Sequence, residues 1–125
     1  MDLLGLRRAT DGTYRFVILE LKLGKNPELS GKVADQLQFY VDHLRQKKVL
    51  AAYADCYEEV YRQKHLLGLL GEKTPATVRI DRADVDALIV VGGYGQQASS
   101  QIAELKRNHP KLSVIQLDNN LSKHV

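Results

Sequence analysis

Asp2, Glu20 and Lys22 are the residues of this 125-residue chain whose types and spacing suit chemistry. Glu20 and Lys22 stand two apart inside the apolar run Tyr14-Arg-Phe-Val-Ile-Leu-Glu-Leu-Lys-Leu23. Strand side chains alternate between faces, so this carboxylate and ammonium share one face while Val17, Leu19, Leu21 and Leu23 fill the other. Desolvating an isolated ion costs several kcal/mol, so such a pair is either joined to itself or serves chemistry. Asp2 opens the preceding run Asp-Leu-Leu-Gly-Leu. Two carboxylates on neighbouring strands, with the Leu21 carbonyl, make an all-oxygen site for a hard cation such as Mg²⁺ or Mn²⁺, completed by water and phosphate oxygens. Such an ion lowers the pKa of a bound water and offsets charge growing on phosphorus, while Lys22 orients the nucleophile or neutralises the transition state. Phosphodiester hydrolysis is the reaction these groups suit.

The elements must bring Asp2 to Glu20. Leu3 to Ala9 and Tyr14 to Leu23 read as strands joined through Thr10-Asp11-Gly12-Thr13, a hairpin signal. A two-residue turn would place Asp2 opposite Leu21, on the wrong face. A three-residue loop or a bulge places it opposite Glu20 or Lys22, so the spacing predicts the bulged geometry. After the loop Gly24-Lys-Asn-Pro-Glu28, Ser30 is the expected N-cap of a helix to about Arg45. Its apolar stripe is Val33, Leu37, Tyr40, Val41 and Leu44, and Gln36 and Tyr40 point the same way one turn apart. A second helix is expected from Lys47 to about Leu70, with Tyr53, Tyr57 and Tyr61 at spacing four, a ladder better suited to core packing than to base stacking. Gly71 to Pro75 is a linker and Val78 to Ile80 a short edge strand. Asp86 to Val91, Gln97 to Arg107 and Leu112 to Leu117 read as strand, helix and strand, hence a right-handed crossover with parallel pairing. The expected fold is α/β, a mixed sheet with an antiparallel hairpin and a parallel strand-helix-strand unit.

Asp2, then Glu20-Leu21-Lys22, then Gln36-Leu-Gln-Phe-Tyr40 resembles the PD-(D/E)XK nuclease superfamily, and more closely its RecB-like branch with a Gln-x-x-x-Tyr motif on the following helix. The resemblance covers about residues 2 to 44. It implies a restriction-endonuclease-like core and a Mg²⁺-dependent deoxyribonuclease. Asp2 and Glu20 would ligate the metal and Lys22 would be the catalytic lysine, with Gln36 and Tyr40 supporting the site and its DNA contacts. The family core begins with a helix and a strand ahead of the metal-binding Asp, for which this chain has no residues. Residues 1–125 therefore read as a single nuclease-like domain that is truncated, part of a longer chain, or completed by a second copy in a homo-oligomer.

Composition sets the remaining bounds. With 44% hydrophobic and 26% charged residues the chain is globular, and no apolar stretch approaches a membrane span. The lone Cys56 favours a reducing, cytoplasmic setting and reads as a small buried hydrophobe. The net charge of +3 is compatible with a polyanionic partner. Lys25, Lys32, Arg45, Lys47 and Lys48 follow the site and suit phosphate contacts, or form a solvated helix face. His43, His65, His109 and His124 show no zinc spacing with Cys56. Two rival functions remain: a degenerate, non-catalytic member that binds nucleic acid or protein, and a nucleotide-binding module. The latter would use Gly93-Tyr94-Gly95, which follows a strand, opens a helix and has Asp118 beyond it, although a plain strand-to-helix turn explains those glycines as well.

Overall fold

The computed structural model describes residues 1–93 and 95–117. In chain order the elements are β1 (Leu3–Arg8), β2 (Tyr14–Leu23), a 3₁₀ turn (Pro27–Ser30), α1 (Lys32–Leu44), α2 (Lys47–Leu66), β3 (Asp86–Gly92), α3 (Gln96–Asn108) and β4 (Val114–Gln116). The fold is α/β. Its four-stranded sheet runs β1-β2-β3-β4, with β1 antiparallel to β2 and with β3 and β4 parallel to it.

The hairpin takes the three-residue loop. Leu3 pairs with Leu19 and Arg8 with Tyr14. Ala9 N–H donates to Thr13 O at 2.8 Å and Gly12 N–H to Ala9 O at 3.1 Å. Gly12 sits at φ 84°, where a residue without Cβ is unstrained, and Asp11 accepts from the Thr13 N–H and hydroxyl. Continuing the register one step puts Asp2 across from Glu20.

The connections β2 to β3 and β3 to β4 both step one strand in the same direction, and right-handed crossovers then place their helices on one face. Phe16 and Ile18 of β2 and Ile89 and Val91 of β3 are fully buried there, in one core with Val33, Leu37, Leu50 and Leu105. The sheet is thus a two-layer structure among the described residues. Val17, Leu19, Leu21 and Leu23 lie on its other face, and none of them joins that core.

Several elements depart from their expected bounds. Ser30 ends the 3₁₀ turn, which starts at Pro27 and is capped by the Asn26 side chain accepting from Glu28 N–H at 2.9 Å; Gly31 is the residue before α1. Proline at the first position and an Asn cap favour that extra turn. α2 stops at Leu66 rather than Leu70, because Gly68 turns the chain at φ 68°. Instead of an edge strand at 78–80, Ile80 makes a single bridge to Tyr14 on the β3 side of β2. Glu58 on α2 holds that segment by accepting from Ile80 N–H and from Arg82. Two rungs of the tyrosine ladder pack against the core: Tyr57 meets Phe16 edge-on at 5.2 Å and the Tyr61 hydroxyl donates to Pro75 O, while the exposed Tyr53 stacks on Tyr57 at 6.4 Å. Cys56, expected to be buried, is exposed, since two residues from buried Ala54 is the opposite side of a helix. No helix among the described residues is long and apolar enough to cross a membrane. Asp118 and His124 lie outside the described residues, as does Tyr94.

Gly24, just past β2, lets α3 approach. A Cβ there would lie 2.6 Å from the Ala98 Cβ, while Gly24 N–H donates to Gly92 O at 2.9 Å. Gly24→Ala is expected to cost about 1–3 kcal/mol by overpacking, and Ala98→Gly should restore much of it; urea midpoints of the single and double variants check this.

Candidate functional site

The site grows out of the core face of β2, where Phe16, Ile18, Glu20 and Lys22 follow one another. Glu20 is only 3% exposed and is the single buried charged residue among those described. Its Oε1 lies 3.1 Å from Lys22 Nζ, and Lys22 Nζ lies 3.0 Å from Glu28 Oε2. Burial alone would lower the Lys22 pKa, but hydrogen bonds to Glu28 and then Glu20 outweigh it and raise the value, so Lys22 is a cation. The second Glu20 oxygen, Oε2, is buried and accepts no hydrogen bond among the described residues. The Met1 nitrogen, an ammonium where the chain starts at that residue, is 3.4 Å from it, close enough for Coulomb attraction but not aligned as a donor.

Asp2 is tied to β2 at two points. Its N–H donates to Leu19 O at 3.2 Å, and its Oδ2 accepts from Leu21 N–H at 2.7 Å. Ala9 N–H donates to Thr13 O, and Tyr14 N–H donates to Arg79 O on the opposite side, so odd residues of β2 aim their backbone groups at β1. The Leu21 carbonyl therefore projects beyond Leu3, the first residue of β1, alongside Asp2.

Two features bear on cation binding: Glu20 Oε2 is a buried carboxylate oxygen without a hydrogen-bond donor among the described residues, and the hairpin register sets Asp2 opposite Glu20. Among the described residues no three His, Cys, Asp or Glu side chains converge as a ligand cluster.

Sequence reasoning missed Glu28. It arrives from the 3₁₀ turn after a glycine-containing loop, where strand periodicity says nothing. The local signal was Asn26-Pro27, which marks a capped turn that fixes Glu28 in space. Gln36 and Tyr40 are both half-buried on α1, with Tyr40 packed against the core and edge-on to Phe39 at 5.7 Å. Neither is hydrogen-bonded to Glu20 or Lys22 among the described residues. Lys25 and Lys32 are exposed at the Glu28 end of α1, whereas Arg45, Lys47 and Lys48 lie at its other end, about 20 Å away along a 13-residue helix. Arg45 is also paired with Asp84 at 2.7 Å. The basic residues expected to act together are thereby split between the two ends of α1.

Gly93, at φ 90°, turns the chain out of β3 at the same end of the sheet, and Gly95 precedes α3 in extended conformation. Only one strand-helix-strand unit, β3–α3–β4, runs through this turn among the described residues.

Comparison with models of known protein families, with curated proteins and with solved structures returns no match.

Proposed function

We propose that this domain is a metal-dependent nuclease that hydrolyses DNA phosphodiester bonds. The observation that carries the reading is Glu20: a nearly buried carboxylate with an oxygen lacking a hydrogen-bond donor among the described residues, beside a lysine cation and opposite Asp2 in the hairpin register. A purely structural ion pair would normally have its remaining lone pairs filled. The position also fits, because ligand sites of open α/β sheets lie at the carboxyl ends of parallel strands, and Glu20 and Lys22 approach that end of β2.

Asp2, Glu20 and the Leu21 carbonyl would hold Mg²⁺ or Mn²⁺. The ion, when bound, would supply a water of lowered pKa and offset phosphate charge. Lys22 remains a cation aimed at the same space and stabilises the negative charge of the transition state. Glu28 keeps Lys22 from closing wholly onto Glu20. Lys25 and Lys32 would receive backbone phosphates, and Gln36 and Tyr40 would act from α1 on the site's outer wall and its DNA contacts.

A second reading, a non-catalytic nucleic-acid-binding or interaction module, is favoured by the cations already facing both Glu20 oxygens. Calorimetric titration with Mn²⁺, followed by cleavage of a labelled duplex and its single strands, separates the two. Mn²⁺ binding with metal-dependent cleavage is the expected result. DNA binding without metal binding or cleavage would leave the second reading standing. Titration with NAD tests the third, a nucleotide site at Gly93-Tyr94-Gly95, for which no binding is expected.

A further inference from the structure

Lys22 is divided between two carboxylates. Its Nζ lies 3.1 Å from Glu20 Oε1 and 3.0 Å from Glu28 Oε2, and its side chain is 13% exposed. Glu20 reaches it by strand alternation alone, since both residues face the same side of β2. Glu28 needs a turn to deliver it, and that turn is closely held. Asn26 N–H donates to Leu23 O at 2.9 Å, which ties the turn to the end of β2. The Asn26 side chain accepts from Glu28 N–H at 2.9 Å, and Gly31 N–H donates to Glu28 O at 3.3 Å. Leu29, the next residue, is fully buried in the core, and the turn packs on both α1 and α3. The Glu28 backbone is therefore fixed, while its side chain, 35% exposed, keeps some freedom.

We infer that Glu28 is a positioning residue that governs how readily a divalent cation reaches Glu20, by taking the Lys22 ammonium when the ion takes the carboxylate. The inference rests on the metal-dependent reading above. Lys22 and a divalent ion compete for one carboxylate, because positive charges crowded into a nearly buried site repel. Among the described residues, Glu20 and Glu28 are the two anions within ion-pair distance of Lys22. Were Glu28 absent, an ammonium pushed off Glu20 would be left largely buried and unpaired, which is costly. With Glu28 in place it keeps an anionic partner throughout, and the exchange needs only rotations within the Lys22 side chain.

Two other roles for Glu28 would leave different signatures. A ligand of the ion would act on Mn²⁺ affinity whether or not Lys22 is present. A brace for the turn would act on stability, yet among the described residues the Glu28 carboxylate makes no hydrogen bond to the turn, which the Asn26 side chain and backbone groups hold instead. Only a residue that acts through Lys22 loses its effect once Lys22 is gone.

Calorimetric titration of Mn²⁺ into the parent, Glu28→Gln, Lys22→Met and the double variant tests it, with thermal melting of each metal-free protein. Glu28→Gln is expected to weaken Mn²⁺ binding on the order of tenfold, the scale of one charge-assisted hydrogen bond at a partly exposed site. In the Lys22→Met background the same change should have no effect. The amide is nearly isosteric and the position is 35% exposed, so the metal-free Glu28→Gln protein should fold and melt close to the parent. Unchanged Mn²⁺ affinity in Glu28→Gln would overturn the inference and leave the metal reading in place. So would an equal loss in both backgrounds, which would make Glu28 a ligand, and so would a marked drop in the melting point of metal-free Glu28→Gln, which would make it a brace. A parent that binds no Mn²⁺ would overturn the metal reading itself, and this inference with it.

Discussion

Lys22→Met is expected to lower metal-dependent DNA cleavage on the order of 10²-fold or more while leaving Mn²⁺ binding in place. A cation aimed at developing phosphate charge acts on the transition state, and losing one preorganised contact of that kind carries this magnitude. The metal ligands proposed here are oxygens of Asp2, Glu20 and Leu21, which the substitution does not touch. Lys22 also occupies Glu20 Oε1 at 3.1 Å, so its removal frees a ligand oxygen and the affinity for Mn²⁺ should hold or tighten. The same change leaves the buried Glu20 without its main counter-charge. Breaking one side of a buried pair costs about 3–5 kcal/mol, and the low end applies because the Met1 nitrogen remains 3.4 Å away. Thermal melting should therefore show a destabilised apo protein that Mn²⁺ restores. Single-turnover cleavage, calorimetry and melting on one preparation check all three parts. Cleavage that survives Lys22→Met would return the lysine to a structural role.

The sequence carried the geometry of this site further than its surroundings. Period-two alternation put Glu20 and Lys22 on one face, and the spacing of the Thr10–Thr13 segment required a bulged loop if Asp2 was to face Glu20; the register follows that loop. What alternation could not decide was which face of β2 is the inside. Val17, Leu19, Leu21 and Leu23 are uniformly apolar, whereas the other face carries two charges, so composition points to the wrong side. The outcome depends on the handedness and direction of two crossovers, which place the helices on the face of Phe16 and Ile18 and leave Leu21 and Leu23 exposed on the other. Glu28 was hidden for a related reason. Its approach to Lys22 is set by where the 3₁₀ turn docks, and the periodicity of a strand ends before it begins. On α1, the spacing of Gln36 and Tyr40 fixed their common direction but not their distance from Glu20. That distance depends on where the helix crosses the sheet.

The burial of Glu20 and Lys22 yields the sharpest separation between a working site and a structural ion pair. Replacing both at once, as Glu20→Leu with Lys22→Met, is expected to give a protein at least as stable as the parent, by about 1–4 kcal/mol where the new side chains pack well. Neighbours Ile18, Ile89 and Val91 are fully buried and apolar, so the pocket can accept a leucine without stranding a polar group. Glu28, left behind, is about a third exposed and can turn to water. The same double variant should neither bind Mn²⁺ nor cleave DNA, because the only buried carboxylate among the described residues is gone. Chemical denaturation and calorimetry measure the two halves independently. Stability gained while metal binding and cleavage are lost would mean that these charges are kept at a cost to the fold, which only function repays. A variant that is markedly less stable would instead make the pair part of the scaffold, and a variant that still binds Mn²⁺ would move the metal away from Glu20.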